Sequence, residues 1–196
     1  SEDSHGRAVW GLGVAIELAN SDDLIGAALN IFERALPAFE NFTSPRAWAF
    51  GLLGMSAYLE RFPGDSEVRR QREHLAQRLF NLYKEVATER WPWPEEYLTY
   101  DNGRIPQALL VCGQALQSRE MLQAGFRSLE WLAEIQKDPR GHFVPIGNHG
   151  WYRRDGDRAR FDQQPIEALA MIEACRVAYR LSAETKWLDY AQLCLD

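Results

Sequence analysis

The feature that most constrains this chain is an alternation between two kinds of helix. Outside a few loops almost every segment carries a helical period, and no stretch reads convincingly as a strand. The spacing predicts helices over about Ser4 to Leu18, Asp22 to Phe39, Ser44 to Phe62, Ser66 to Thr88, Arg104 to Gln117, Arg119 to Gln136 and Gln163 to Ser182, with a last one from about Glu184. Pro37 weakens the end of the second. Ser44 and Pro45 open the third with a capping hydroxyl and a proline at the first helical position, and Pro63 and Gly64 end it. The first, third, fifth and seventh helices are rich in Ala, Gly and Leu and apolar on most sides, while the others are amphipathic. A helix apolar all round is buried, and one with a single apolar face lies at the surface. The expectation is an all-α fold of four helical hairpins, with inner helices wrapped by outer ones.

The inner helices share a weak repeat. They open near Asp3 and Arg7, Ser44 and Arg46, Asp101 and Arg104, and Asp162 and Pro165, each pairing a short polar residue with Pro or Gly. If the hairpins stack around an axis, all four openings fall on one face. The two longest loops enter that face. One contains Trp91, Pro92, Trp93, Pro94, Glu95 and Glu96 and runs on to Gly103. The other extends from Pro139 to Glu167. A loop of that length in a compact domain is functional or disordered. Phe143, Val144, Ile146, Trp151, Tyr152 and Phe161 supply apolar surface that disordered tracts lack. Binding groups tend to sit on such loops when a rigid scaffold holds them.

Bulk properties narrow the choice of partner. The chain has 196 residues, enough for one domain with a sizeable core, and carries a net charge of -6. Its arginines are interleaved with carboxylates and make no basic stripe, which argues against a nucleic-acid partner. No apolar run approaches the roughly 20 residues of a membrane span. The acidic start at Ser1, Glu2 and Asp3 does not read as a signal peptide. Cys112, Cys175 and Cys194 lie in apolar helical patterns and suit buried thiols in a reducing, cytoplasmic setting. No cofactor is expected, because no glycine-rich phosphate loop follows a strand and no serine nucleophile elbow is present. The histidines lack metal-ligand spacing on a single element, so no metal is expected either.

Four segments carry a resemblance: Glu2 to Gly11, Tyr97 to Asn102, Gly147 to Tyr152 and Phe161 to Ala168. Together with the polar inner-helix openings, they resemble the (α/α)-toroid, or six-hairpin glycosidase-like, superfamily, and within it a bacterial group of glycosyltransferase-associated domains. The resemblance covers nearly the whole chain. It implies a helical toroid, a carbohydrate ligand and a glycosyltransferase domain in the same chain. A full toroid has six hairpins and four are visible here, which implies a partial ring, a single domain cut from a longer chain.

Hydrolysis of a glycosidic bond commonly needs two carboxyl groups, one protonated and one ionised. Glu95, Glu96, Asp101, Asp162 and Glu167 are the candidates, although Asp101 and Asp162 stand where helix caps belong and Glu167 suits a structural ion pair. Trp91, Trp93, Tyr97, Tyr100, Trp151 and Tyr152 offer ring faces for sugar C–H surfaces, or else plug the ends of the core. Trp10, Trp48, Trp131 and Trp187 lie within helices and suit core packing. His5, His142 and His149 could bind hydroxyls or act as bases, the latter as in a sugar epimerase. Arg7, Arg46 and Arg104 suit anion recognition or pairing with nearby carboxylates. Asn102, Asn148, Gln163 and Gln164 would serve hydrogen bonding. The preferred reading is a carbohydrate-active domain, hydrolytic if it is an enzyme. The rival is a non-catalytic module that binds glycan or braces a glycosyltransferase.

Overall fold

The computed structural model describes residues 1–195. The chain divides into two compact units, Ser1–Leu79 and Phe80–Asp196. Unit 1 contains α1 (Glu2–Leu18), α2 (Asp22–Ala35), a 3-10 turn (Leu36–Asn41), α3 (Pro45–Arg61) and the first part of α4 (Ser66–Val86). Unit 2 contains the rest of α4, β1 (Tyr97–Leu98), α5 (Arg104–Ala115), α6 (Arg119–Ile135), β2 (Tyr152–Arg153), α7 (Pro165–Ser182) and α8 (Lys186–Leu193). All eight expected helices form. The second tightens into the 3-10 turn at Leu36, where Pro37 removes a backbone donor.

Local chemistry sets the helix starts. Ser44 Oγ accepts from Ala47 N at 3.3 Å, and Ser118 Oγ accepts from Met121 N at 3.3 Å. Asp65 Oδ1 accepts from Glu67 N and Val68 N, both at 3.0 Å, and opens α4. The caps expected at Asp101 and Asp162 do not form. The cap positions of α5 and α7 are Gly103 and Gln164, and both aspartates instead adopt left-handed backbone, with φ of 53° and 58°.

Burial separates the inner helices into two kinds. Every residue of α3 from Pro45 to Leu59 is buried, and so is α5 from Arg104 to Leu110. By contrast, α1 buries only a stripe of Gly6, Val9, Gly13 and Ile16, and α7 likewise buries one face. The expectation of all-round burial therefore fails for α1 and α7 among the described residues. Small side chains make a helix compatible with burial on every side but do not supply the neighbours.

Within unit 1, α1 and α3 pack in parallel at very close range. A Cβ on Gly54 would lie 2.6 Å from the Val9 carbonyl oxygen, and one on Gly13 would collide with the Gly54 backbone. The hairpin of α5 and α6 in unit 2 uses the same device, Gly125 facing Leu110 and Gly113 facing Leu122.

The expectation of no strand needs correcting. Tyr97 pairs with Arg153 and Leu98 with Tyr152 in a short antiparallel ladder, which ties the two long loops of unit 2 together. Among the described residues no helix is long and apolar enough to cross a membrane, and no group of three or more His, Cys, Asp or Glu could hold a metal ion.

The close α1–α3 contact gives a test. Gly54→Ala forces backbone apart and should cost about 1–3 kcal/mol. Gly11→Ala, whose Cβ would meet nothing within 4 Å, should instead be neutral or stabilise by up to about 1 kcal/mol through helix propensity. Urea denaturation of the two variants measures the contrast.

Candidate functional site

Unit 2 holds most of the residues singled out in the sequence. Its α5 and α7 begin side by side, and a buried carboxylate joins them. Glu167, in the first turn of α7 and 1% exposed, accepts hydrogen bonds from the backbone N–H of Asp101, from Asn102 N at 3.3 Å and from Asn102 Nδ2 at 3.0 Å. Asn102 is itself spent locally, its Oδ1 accepting from Thr99 N at 3.1 Å and its Nδ2 donating to Thr99 O at 3.0 Å. Arg104, 1% exposed, donates to Asp101 Oδ1 at 3.2 Å and to Gln107 Oε1 at 2.9 Å, and pairs with Glu173. Asp101, Asn102, Arg104 and Glu167 thus form one closed network inside the fold. Burial pushes the Glu167 carboxyl up to about 7, against the hydrogen bonds from Asn102 and Asp101 that favour its ionised form.

These positions set the four residues within the scaffold. Asn102 and Arg104 are buried and bonded inward, so they present no donor to a ligand. Asp101 and Glu167 are buried, whereas a hydrolytic carboxylate pair must reach its substrate.

The tryptophans of the first long loop are also largely withdrawn. Trp93 is fully buried and Trp91 is 4% exposed. Each indole N–H donates to a carbonyl four residues on, Trp91 to Glu95 O at 2.7 Å and Trp93 to Tyr97 O at 3.0 Å. Both rings pack against Trp131 of α6, with centroids 4.8 Å and 6.2 Å away. Trp93 therefore plugs the core and offers no face to a sugar. Tyr152 continues this aromatic column, 5.2 Å from Trp91 and half-exposed.

What stays open lies on the second loop. Trp151 and Tyr100, both half-exposed, meet with ring centroids 6.0 Å apart. Trp151 holds a left-handed backbone with φ of 59°, an unfavourable conformation for a bulky side chain that persists only where the surrounding structure enforces it. The loop around it is pinned by Gly147 N to Ala159 O at 2.9 Å, Asn148 N to Asp162 O at 3.1 Å and Ala159 N to Trp151 O at 2.9 Å. The side chains of Asn148, His149, Asp162, Gln163 and Gln164 stay exposed, as does His142 further back.

On the Tyr152 side, a groove of about 360 Å³ is lined by Thr88, Glu89, Arg90, Trp91, Tyr152, Arg154 and Asp155. Arg154 donates to Glu96 Oε1 at 3.2 Å and to Thr88 Oγ1 at 3.2 Å, and holds the groove wall. Thr88 and Arg154 were missed from the sequence. No local signal marked them, because the two-residue strand that ends at Arg153 is too short to show an alternation.

Two candidates belong to unit 1. His5 bonds Ala35 O through Nε2 at 2.8 Å and is edged by Phe39 and Phe42, and Arg7 lies over the Phe50 ring at 4.3 Å. Both are half-buried and serve the packing of α1. None of the three cysteines forms a disulfide among the described residues, and burial pushes the thiols of Cys175 and Cys194 up to about 12, which leaves them unreactive near neutrality.

Comparison with solved structures shows what this arrangement is similar to. The Lin0763 protein of Listeria innocua superposes with a TM-score of 0.71 at 14% identity, covering 97% of this chain and 57% of that one. The glycoside hydrolase family 76 mannosidase Bt3792 of Bacteroides thetaiotaomicron VPI-5482 gives 0.68 at 14% identity, covering 99% and 59%. A family 76 glycoside hydrolase from a bovine Bacteroides thetaiotaomicron strain gives 0.68 at 9% identity, covering 99% and 46%. The chain spans about half the length of these proteins. No family model and no curated protein matches it. At such identities the likeness gives the fold alone, an all-α (α/α)-toroid architecture.

The buried network makes a prediction about pH. The Glu167 pKa is raised from 4.5 to about 7, so its neutral form favours the folded state. The stability it contributes is fully present below about pH 4.5 and is lost as the pH rises towards 7, by roughly 3 kcal/mol. Glu167→Gln keeps a neutral acceptor at the joint and should flatten that part of the stability profile, measured by denaturant melts from pH 4 to 8.

Proposed function

We propose that this chain binds carbohydrate along the loop face of unit 2, as a non-catalytic (α/α)-toroid module. The observation that carries the reading is a contrast in exposure. The rings of Tyr100, Trp151 and Tyr152 stay half open beside exposed Asn148, His149, Asp162 and Gln163. The most deeply placed carboxylates, Asp101 and Glu167, are instead consumed by the scaffold. Half-open aromatic rings next to hydrogen-bonding side chains match the two surfaces of a sugar, its apolar C–H face and its hydroxyl rim. The groove beside Tyr152 gives such a ligand a second wall. The likeness in fold to glycoside hydrolases supports a carbohydrate ligand.

Hydrolysis is the second reading, and those two neighbours favour it. It would draw on Glu95, Glu96 or Asp162, which lie on the same loops and are not buried. A glycosyltransferase domain in the same, longer chain remains the proposed setting on the sequence resemblance alone. A reducing, cytoplasmic compartment is proposed from three cysteines that form no disulfide among the described residues.

A glycan-array screen with the chain, followed by calorimetry and a turnover assay on the best ligands, tests the reading. Binding without release of reducing sugar is expected. Tyr152→Ala or Trp151→Ala should each weaken affinity about tenfold, near the value of one ring contact. Turnover that disappears in Glu96→Gln or Asp162→Asn would replace the binding role by hydrolysis.

A further inference from the structure

The second long loop concentrates positive charge in a chain that is negative as a whole. Between residues 137 and 160 stand Lys137, Arg140, Arg153, Arg154, Arg158 and Arg160, against Asp138, Asp155 and Asp157, while the whole chain carries -6. Several of these cations have work within the fold. Arg140 pairs with Asp138 at 3.1 Å, Arg154 pairs with Glu96 at 3.2 Å, and Arg153 lies over the Tyr97 ring at 5.6 Å.

Arg158 differs from the rest. It is half-buried, and among the described residues it makes no hydrogen bond and no close ion pair. It stands opposite Tyr152 in an isolated antiparallel bridge. Side chains so paired share one face, with Cβ atoms about 5 Å apart. Asp138 attracts it from a distance, but that carboxylate already accepts from Arg140 Nε at 3.1 Å and from the backbone N–H groups of Arg140 and His142, both at 2.9 Å. Burial, and repulsion from Arg160, lower the pKa of the Arg158 guanidinium. A fork of five donors with no close carboxylate of its own, next to a second arginine, offers a receptor for an anion.

We infer that the glycan bound at this face is acidic, with a sugar ring on Tyr152 and its carboxylate or sulfate held by Arg158 and Arg160. The inference rests on the carbohydrate reading above. It adds the ligand's charge and assigns two residues that neither motif nor fold likeness singled out. Tyr152 sets the site apart from a plain anion site. The residues bearing the ring platform and the guanidinium fork stand opposite each other across the bridge, within reach of a sugar ring and its acidic substituent. Asp155 and Asp157, also exposed on this loop, would repel an anion, so selectivity depends on Arg158 and Arg160 rather than on the loop as a whole.

The test is calorimetry of the chain with three oligosaccharides of one backbone, neutral, carboxylated and sulfated, and with inorganic phosphate alone. The acidic forms should bind at least tenfold more tightly than the neutral one, by a margin that shrinks in high salt. The better of the two identifies the anionic group. Arg158→Gln and, separately, Arg160→Gln should reduce the preference to less than threefold, with circular dichroism confirming that each remains folded. Equal affinity for neutral and acidic forms would overturn the inference and leave the carbohydrate reading standing. A preference that survives both substitutions would also overturn it, as would phosphate binding as tightly as the acidic sugar. If no saccharide bound, both readings would fall together.

Discussion

Two helices that run parallel and start side by side bring like partial charges together, because each amino terminus carries unpaired N–H groups and the positive end of a dipole. This chain solves that problem twice with the same device. In unit 1, Glu2 at the start of α1 accepts from Thr43 N at 2.9 Å and Ser44 N at 2.7 Å, just ahead of α3. In unit 2, Glu167 in the first turn of α7 accepts from Asp101 and Asn102, just ahead of α5. A carboxyl group from one helix thus accepts from the unpaired N–H groups at the entrance of its neighbour. The environments differ, and so does the consequence. Hydrogen bonding from the Ser44 backbone holds the half-exposed Glu2 carboxyl below its ordinary range, whereas burial lifts that of Glu167. The close glycine contacts that follow along α1 and α3, and the Gly103 contact with Ala170 at the start of α5 and α7, depend on these joints being in register.

The same joint decides what the site can do. Residues at inner-helix openings look poised for a ligand when read along the chain. Once the carboxylate clamp forms, Asp101, Asn102 and Arg104 face inward and are used up. The ring faces and polar side chains that stay open lie on the loops. Tyr100, Trp151 and Tyr152 occupy that zone, and the short Tyr97–Arg153 ladder fixes their relative placement.

Much of the fold was legible in the sequence, and less of the site. Helical period, Ser44 with Pro45, and Pro37 located the helices, because those signals are local. Composition identified α3 and α5 as buried all round but misjudged α1 and α7, since burial depends on neighbours and not on the helix itself. The two-residue strands were invisible, because neither is long enough to show an alternation. Trp91 and Trp93 illustrate the limit at the site. A loop tryptophan reads the same whether it waits for a sugar or plugs a core. What decides is an indole N–H turned back onto a carbonyl four residues away. Asn102 was misread for a similar reason, its amide closing a turn on Thr99 that no spacing rule distinguishes from a ligand contact.

The carboxylate joint is the point on which this account rests, and its most direct measurement is a carbon-detected NMR titration of the Glu167 side chain. The carboxyl carbon should titrate with a midpoint near 7, and the amide resonances of Asp101 and Asn102 should shift with the same midpoint. A midpoint near the ordinary 4.5, with those two amides unresponsive, would show a solvated carboxylate and no clamp, and would contradict the account.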